Sequence, residues 1–260
     1  MKTKGSLLPT LILLTPLVLS LGCSMMGTGP VIEVTTTAQP QPTSAAVKPT
    51  LSDCTGGLRI HGVTDRVEDG FVRVRGLVDN CTNKWVDIVV HLTLYDASGN
   101  PLNVSSTTGE TEQDAFVLNR PLAPGATGVF DYIRDTAYIE GKYNHAELSA
   151  DWVEAGNSYT GDITSFTYDL KPGESFITVS GTFKSTGTAS CPSPLAVAVG
   201  YDEDGDVCSV NDEWLTDEAG NDIDELAPGE TVNFELLLDN FRGEVRDVKV
   251  LAGCSFYGMP

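Results

Sequence analysis

One alternating pattern occurs twice in this chain of 260 residues, and that duplication limits what the chain can fold into. Residues 92–101 read LTLYDASGNP and residues 198–206 read AVGYDEDGD, so Tyr95-Asp96 recurs as Tyr201-Asp202, each with a glycine three residues on. The LAPG of residues 122–125 recurs at 226–229, and FVRVRGLV at 71–78 aligns with FITVSGTF at 176–183. Ala146, Leu148, Ala150 and Trp152 align with Val250, Ala252, Cys254 and Phe256. The four blocks keep their order at offsets of 104 to 106 residues, a drift that small loop insertions explain.

Every block alternates with period two. Successive side chains of a strand point to opposite faces, so this is the signature of half-buried strands. Val72, Val74, Gly76 and Val78 share a face in the first copy, and Ile177, Val179, Gly181 and Phe183 do so in the second. Val86, Ile88, Val90, Leu92 and Leu94 form another such row, as do Val232, Phe234, Leu236 and Leu238. Turn signals recur at short intervals: Ser98-Gly-Asn-Pro, Pro124-Gly, Pro172-Gly, Asp204-Gly and Pro228-Gly. Hydrophobic residues make up 41%, enough for packed cores. The expectation is an all-β chain: two tandem antiparallel sandwiches over residues 51–157 and 158–260.

The N-terminus reads as an address. Lys2 and Lys4 precede a mostly apolar stretch at residues 7–22, LLPTLILLTPLVLSLG, broken by Pro9 and Pro16. It is short for a spanning helix and suits the core of a signal peptide. Its end, Leu-Ser-Leu-Gly-Cys with Gly22 before Cys23, resembles the lipobox of prokaryotic lipoproteins, although Ser20 stands where that family carries Leu. The resemblance implies a signal peptide at 1–22, cut before Cys23, and a diacylglyceryl anchor on that thiol. Two acyl chains give a lasting membrane attachment where one does not. Residues 23–50 are rich in Thr, Pro, Ser and Gln, with only Glu33 and Lys48 charged, and read as a disordered tether.

The block order also resembles the FxLYD family. The first copy matches at Gly76, Asn80, Leu94-Tyr-Asp96, Gly99 and Pro124-Gly125, with His91-Leu-Thr in place of the Phe. The second copy carries Gly200-Tyr-Asp in place of Leu-Tyr-Asp. The resemblance implies immunoglobulin-like sandwiches, often on lipoproteins, and no catalytic activity.

Apart from Cys23 there are Cys54, Cys81, Cys191, Cys208 and Cys254. An exported, oxidising location makes disulfides expected. In an up-and-down sandwich the first strand starts where the second ends, which favours Cys54–Cys81. The loop of Cys191 and the last strand of Cys254 end together, which favours Cys191–Cys254 and leaves Cys208 over. Sequence alone does not fix connectivity, so Cys191–Cys208 stays open, as do free buried thiols. No zinc spacing occurs.

Lys+Arg is 16 against Asp+Glu 36, a formal net charge of −20 that excludes a nucleic-acid binder, which needs a cationic footprint. Residues 51–157 hold 16 acids and 8 bases, and residues 158–260 hold 19 and 5, so the second copy is the more acidic. No nucleophile elbow and no phosphate-cradling loop is present. His61, His91 and His145 fall on strands or their ends, His91 on the face away from Val90 and Leu92. One cluster stands out. Asp202, Asp204, Asp206 and Glu213 fall at positions 1, 3, 5 and 12, the oxygen-ligand spacing of a calcium loop, but Val207 stands where that loop needs Gly. Asp96-Ala-Ser-Gly-Asn100 makes the same turn in the first copy with few charges, so a plain hairpin turn is the competing reading. Asn80-Cys-Thr and Asn103-Val-Ser are glycosylation sequons.

These readings combine into one expectation. The chain is a non-enzymatic, extracytoplasmic protein, held on a prokaryotic membrane by a lipid on Cys23, with two modules for binding or envelope structure. It needs no cofactor, and its envelope or protein partner is not named by the sequence. The first alternative is a calcium-dependent binding module. The second is a secreted hydrolase or an accessory domain of one.

Overall fold

The structure is a computed structural model, in which residues 57–104, 109–156, 159–171 and 173–254 are described. The signal-like segment, Cys23, the tether and Cys54 lie outside the described residues. The described residues form fourteen strands and a single 3₁₀ turn at Thr136–Tyr138. No helix among them is long and apolar enough to cross a membrane.

The first copy contributes β1 (Leu58–Glu68), β2 (Phe71–Asn80), β3 (Val86–Tyr95), β4 (Glu112–Phe116), β5 (Thr127–Asp135) and β6 (His145–Glu154). They form two antiparallel sheets, β1-β2-β5 and β4-β3-β6. The second copy contributes β7 (Gly161–Asp169), β8 (Phe176–Ser185), β9 (Cys191–Pro192), β10 (Pro194–Tyr201), β11 (Val207–Trp214), β12 (Glu225–Leu226), β13 (Thr231–Asp239) and β14 (Asp247–Cys254). Their sheets are β7-β8-β13 and β11-β10-β14, with a short β9-β12 pair. The six strands of the first copy recur in the same topology as β7, β8, β10, β11, β13 and β14, and the second copy adds the β9-β12 pair.

The repeat extends to single hydrogen bonds. Asn80 N–H donates to Ala126 O and Gly125 N–H to Asn80 O; one repeat later, Ser185 N–H donates to Glu230 O and Gly229 N–H to Ser185 O. The first strand of each copy carries a bulge, between His61 and Thr64 and between Ile163 and Ser165. Gly76 pairs with Phe130 across β2 and β5, and Gly181 with Phe234 across β8 and β13. A Cβ on Gly76 would lie 2.9 Å from the Phe130 ring, and one on Gly181 would lie 2.6 Å from the Phe234 ring. Each glycine is therefore the gap into which a core phenylalanine folds.

The expected inward rows are the cores. Val72, Val74 and Val78 of β2 meet Val86, Ile88, Val90, Leu92 and Leu94 of β3 in one buried cluster. Ile177, Val179 and Phe183 of β8 meet Ala196 and Ala198 of β10, with Phe234, Leu236 and Leu238 of β13. Burying each large apolar side chain contributes about 1.5–3 kcal/mol, so each sandwich has a substantial core of its own.

A third cluster joins the copies. Leu77 of β2 and Val129 of β5 pack against Leu195, Val197, Val199 and Tyr201 of β10 and Val207 and Val210 of β11. The outer face of sheet β1-β2-β5 thus lies on the outer face of sheet β11-β10-β14, and the described residues belong to one compact unit. All eight residues of β10 are buried, which is why its sequence, PLAVAVGY, is a near-continuous apolar run instead of an alternation.

Cys191 and Cys254 are bonded, their Cα atoms 5.2 Å apart, closing β9 onto the end of β14. Cys81 is disulfide-bonded, and its expected partner Cys54 lies outside the described residues. Cys208 is a buried free thiol, pushed up to about 11 chiefly by burial.

Candidate functional site

The seam between the copies opens into a cleft of about 650 Å³, within the range of small-molecule and peptide sites. Its walls come from both copies. Phe116, Arg120, Asp131, Tyr132, Ile133 and Arg134 stand on one side, and Tyr159, Leu195, Asp212 and Trp214 on the other. Phe116 is 52% exposed, Ile133 47% and Trp214 39%. A single exposed apolar side chain is ordinary, but here three large ones share one groove. The Arg120 guanidinium lies 5.0 Å from the centre of the Phe116 ring.

Between these side chains the walls are polar and partly buried. The Tyr132 hydroxyl and Arg134 Nε are buried without a hydrogen-bond partner among the described residues. Burial pushes the Tyr132 hydroxyl up to about 12. Burial also raises Asp131, against the pull of Arg75 and Arg73, and raises Asp212 and Asp87. Among the described residues, neither Asp87 nor Asp212 has a lysine or arginine in ion-pair contact. The cleft therefore offers apolar surface together with two carboxylates, Asp87 and Asp212, that have no ion-pair contact among the described residues.

A second groove of about 270 Å³ lies at another part of the seam, where Arg66, Arg73 and Arg75 surround Glu68. Burial works to raise Glu68, but Arg75 and Arg66 outweigh it and hold the carboxyl below its usual range. Arg66 also reaches Glu244 of the second copy at 2.7 Å. These arginines are used by internal carboxylates, and Arg66 and Arg75 fasten the copies together.

Asp202, Asp204 and Asp206 share one turn, and the structure leaves Glu213 out of it. Glu213 pairs with Ala196 near the far end of β11, roughly 20 Å along the strand from the turn. Within the turn, Asp202 Oδ1 accepts from the backbone N–H groups of Asp204 (3.0 Å) and Asp206 (2.9 Å). Asp96 does the same for Ser98 and Asn100, both at 2.8 Å. Asp217 does it for Ala219 (2.8 Å) and Asn221 (2.9 Å). In all three, a glycine at positive φ follows: Gly99, Gly205 and Gly220. The leading carboxylate is a backbone cap in each turn, whether or not acids follow it.

His91 is more than the solvated strand histidine its alternation suggested. The β3–β4 register places it opposite Asp114, with Glu112 two pairs along on the same face, and the β3–β6 register brings Asp151 to that face as well. Nδ1 lies 2.7 Å from Asp114 Oδ1 and 3.7 Å from Glu112 Oε1, and Nε2 lies 3.5 Å from Asp151 Oδ2. The Asp114 carboxylate, helped by Asp151 and Glu112, raises the imidazole above its ordinary pKa despite partial burial.

The Asn80 sequon is not presented to solvent. Asn80 is fully buried, and its Nδ2 donates to Lys84 O, Leu122 O and Ala123 O. Asn103 Nδ2 donates to Glu140 at 3.0 Å on the surface.

Sequence reading missed Phe116, Tyr132, Asp212 and Trp214, because the cleft exists only once two separate copies are docked. No family model matches the chain, and no curated protein matches it. Among solved structures the chain is similar to the exo-chitosanase CsxA of Amycolatopsis orientalis, at 13% identity and a TM-score of 0.24, over 74% of this chain and 25% of that one. It is also similar to the transglutaminase of red sea bream, at 8% identity and a TM-score of 0.22, over 77% of this chain and 30% of that one. The chain thus spans less than a third of either protein's length, and likenesses at these TM-scores carry no argument about activity or ligand.

Proposed function

We propose that this chain is a non-catalytic, lipid-anchored binding protein of a prokaryotic cell envelope, built of two immunoglobulin-like modules that take their ligand in the cleft at their seam. The cleft is the observation that carries the reading: half-exposed Phe116, Ile133 and Trp214 stand beside Tyr132, Asp131 and Asp212 on rigid strands. Aromatic faces with a few fixed polar groups suit an extended polar ligand that stacks and hydrogen-bonds. The lipobox-like Cys23 and the Pro- and Thr-rich tether support a position outside the membrane, at some reach from it.

Two measurements test this. Cys23→Ala should release the protein from membranes after a high-salt wash; a variant that still fractionates with membranes removes the anchor. Tryptophan fluorescence should be quenched saturably by soluble envelope oligosaccharides, and Phe116→Ala and Trp214→Phe should abolish the quench. A quench unchanged in both variants places the ligand elsewhere.

A hydrolase is the second reading, favoured by one feature: burial raises Asp131 and Asp212 in the same cleft, as a general acid requires. Mass spectrometry of the titrated oligosaccharides separates the two. Intact ligand supports binding, and shortened products support hydrolysis.

A further inference from the structure

The geometry points to a binding site for a divalent transition-metal ion of the zinc class at His91, Glu112 and Asp114, on the outward face of sheet β4-β3-β6. One ligand atom from each residue lies within 4.8 Å of the other two. In a zinc site, metal–ligand distances of about 2.0–2.2 Å put neighbouring ligand atoms about 3–3.5 Å apart. Nδ1 sits 2.7 Å from Asp114 and 3.7 Å from Glu112, so small side-chain rotations suffice and no backbone need move. All three side chains stand on paired strands, which fixes their spacing.

A separate feature supports the ion. Asp151 lies on the other side of the ring, 3.5 Å from Nε2. At that distance Asp151 is an ionic neighbour of Nε2; a rotation of its exposed side chain lets it accept from Nε2–H once Nδ1 holds the ion, the usual support of a metal-bound histidine. Charge points the same way. Among the described residues, no lysine or arginine pairs with Glu112, Asp114 or Asp151, and three carboxylates face one imidazole. A dication offsets that excess. Nitrogen with two carboxylates suits zinc and its transition-metal neighbours; calcium and magnesium favour an all-oxygen shell. The ion takes the place of the proton shared by Nδ1 and Asp114, which passes to solvent. Three protein ligands leave a coordination position open, and Asp114 also lines the seam cleft.

The test is calorimetric titration of the full-length, chelator-treated protein with zinc chloride, and in parallel with calcium chloride and magnesium chloride. One zinc ion per chain should bind, with calcium and magnesium at least tenfold weaker. His91→Ala, Glu112→Gln and Asp114→Asn should each weaken zinc at least tenfold, and Asp151→Asn by a smaller factor, with far-UV circular dichroism unchanged. Zinc binding that persists in His91→Ala overturns the site, as does calcium binding equal to zinc or no zinc binding at all. The oligosaccharide titration does not depend on this result, so either proposal can fail alone.

Discussion

Arg75 of the first copy donates a hydrogen bond to the backbone carbonyl of Cys208 in the second, from a position only 4% exposed. The same guanidinium lies 3.0 Å from Glu68 and 3.5 Å from Asp131. One buried cation therefore neutralises two carboxylates and ties β2 to β11. Arg75→Met should destabilise the protein by about 3–5 kcal/mol, because Asp131 loses its ion pair, Glu68 keeps only Arg66 and Arg73, and the Cys208 carbonyl loses its donor. Urea denaturation of the variant measures this. Adding Glu68→Gln should return part of the loss, and a variant within 1 kcal/mol of wild type removes the role assigned to Arg75.

Leu77 and Val129 carry the apolar side of the same seam. Residues 51–157 expressed alone retain the core of the first sandwich and should melt cooperatively, but at a lower temperature than in the full chain. They should also self-associate through the bared face. Leu77→Ser with Val129→Ser should restore a monomer in sedimentation experiments. A non-cooperative melt would show that the two sandwiches depend on one shared core.

Asp79 is 1% exposed and accepts from both Arg59 Nε (2.8 Å) and Thr127 Oγ1 (2.6 Å), with His61 Nε2 at 3.1 Å. Burial pushes this carboxyl up, but those donors outweigh it and hold it at about 2, below the ordinary 3.8. A carboxyl depressed in the folded state stabilises above its unfolded pKa and loses that contribution as protons bind. The stability from Asp79 should be fully present above pH 4 and fall away towards pH 2. Asp79→Asn should be less stable than wild type at pH 7, and the two should converge near pH 2. A gap that stays constant with pH contradicts this.

The Cys191–Cys254 bond closes a separation of 63 residues. In the chain-entropy account a loop of that length contributes about 4 kcal/mol. Cys191→Ala with Cys254→Ala should lower stability by up to that amount. Cys208 should stay unreactive towards a thiol reagent in the native protein, since burial raises its pKa to about 11, and should react on unfolding.

At the 202–206 turn, calcium and sodium chloride matched for ionic strength should shift the melting temperature equally. Asp202→Asn, which keeps an acceptor oxygen for the Asp204 and Asp206 N–H groups, should melt higher than Asp202→Ala. A calcium-specific shift lost in Asp204→Asn would restore the ion-binding reading of this turn.

The strands and their inward faces were legible in the sequence because alternation is a local property: Val86, Ile88, Val90, Leu92 and Leu94 read as one buried row and are one. The repeat was legible because both copies keep the Tyr-Asp turn, the LAPG turn and the Gly76 or Gly181 of the strand before them; that each glycine lies under a core phenylalanine came from the structure. The choice of Cys191 and Cys254 as partners followed from which strand ends meet. Only tertiary structure decided that the copies lie face to face, since residues of different sandwiches carry no common period. The one local trace was the unbroken run of β10, apolar on both faces because both are covered. The cleft and the His91 cluster depend on register and docking, which place Asp114 beside His91 and Trp214 across from Phe116. Sequence spacing favoured acids at 202–213, but a strand carries Glu213 away from its turn, because extended chain separates residues that a loop would keep together.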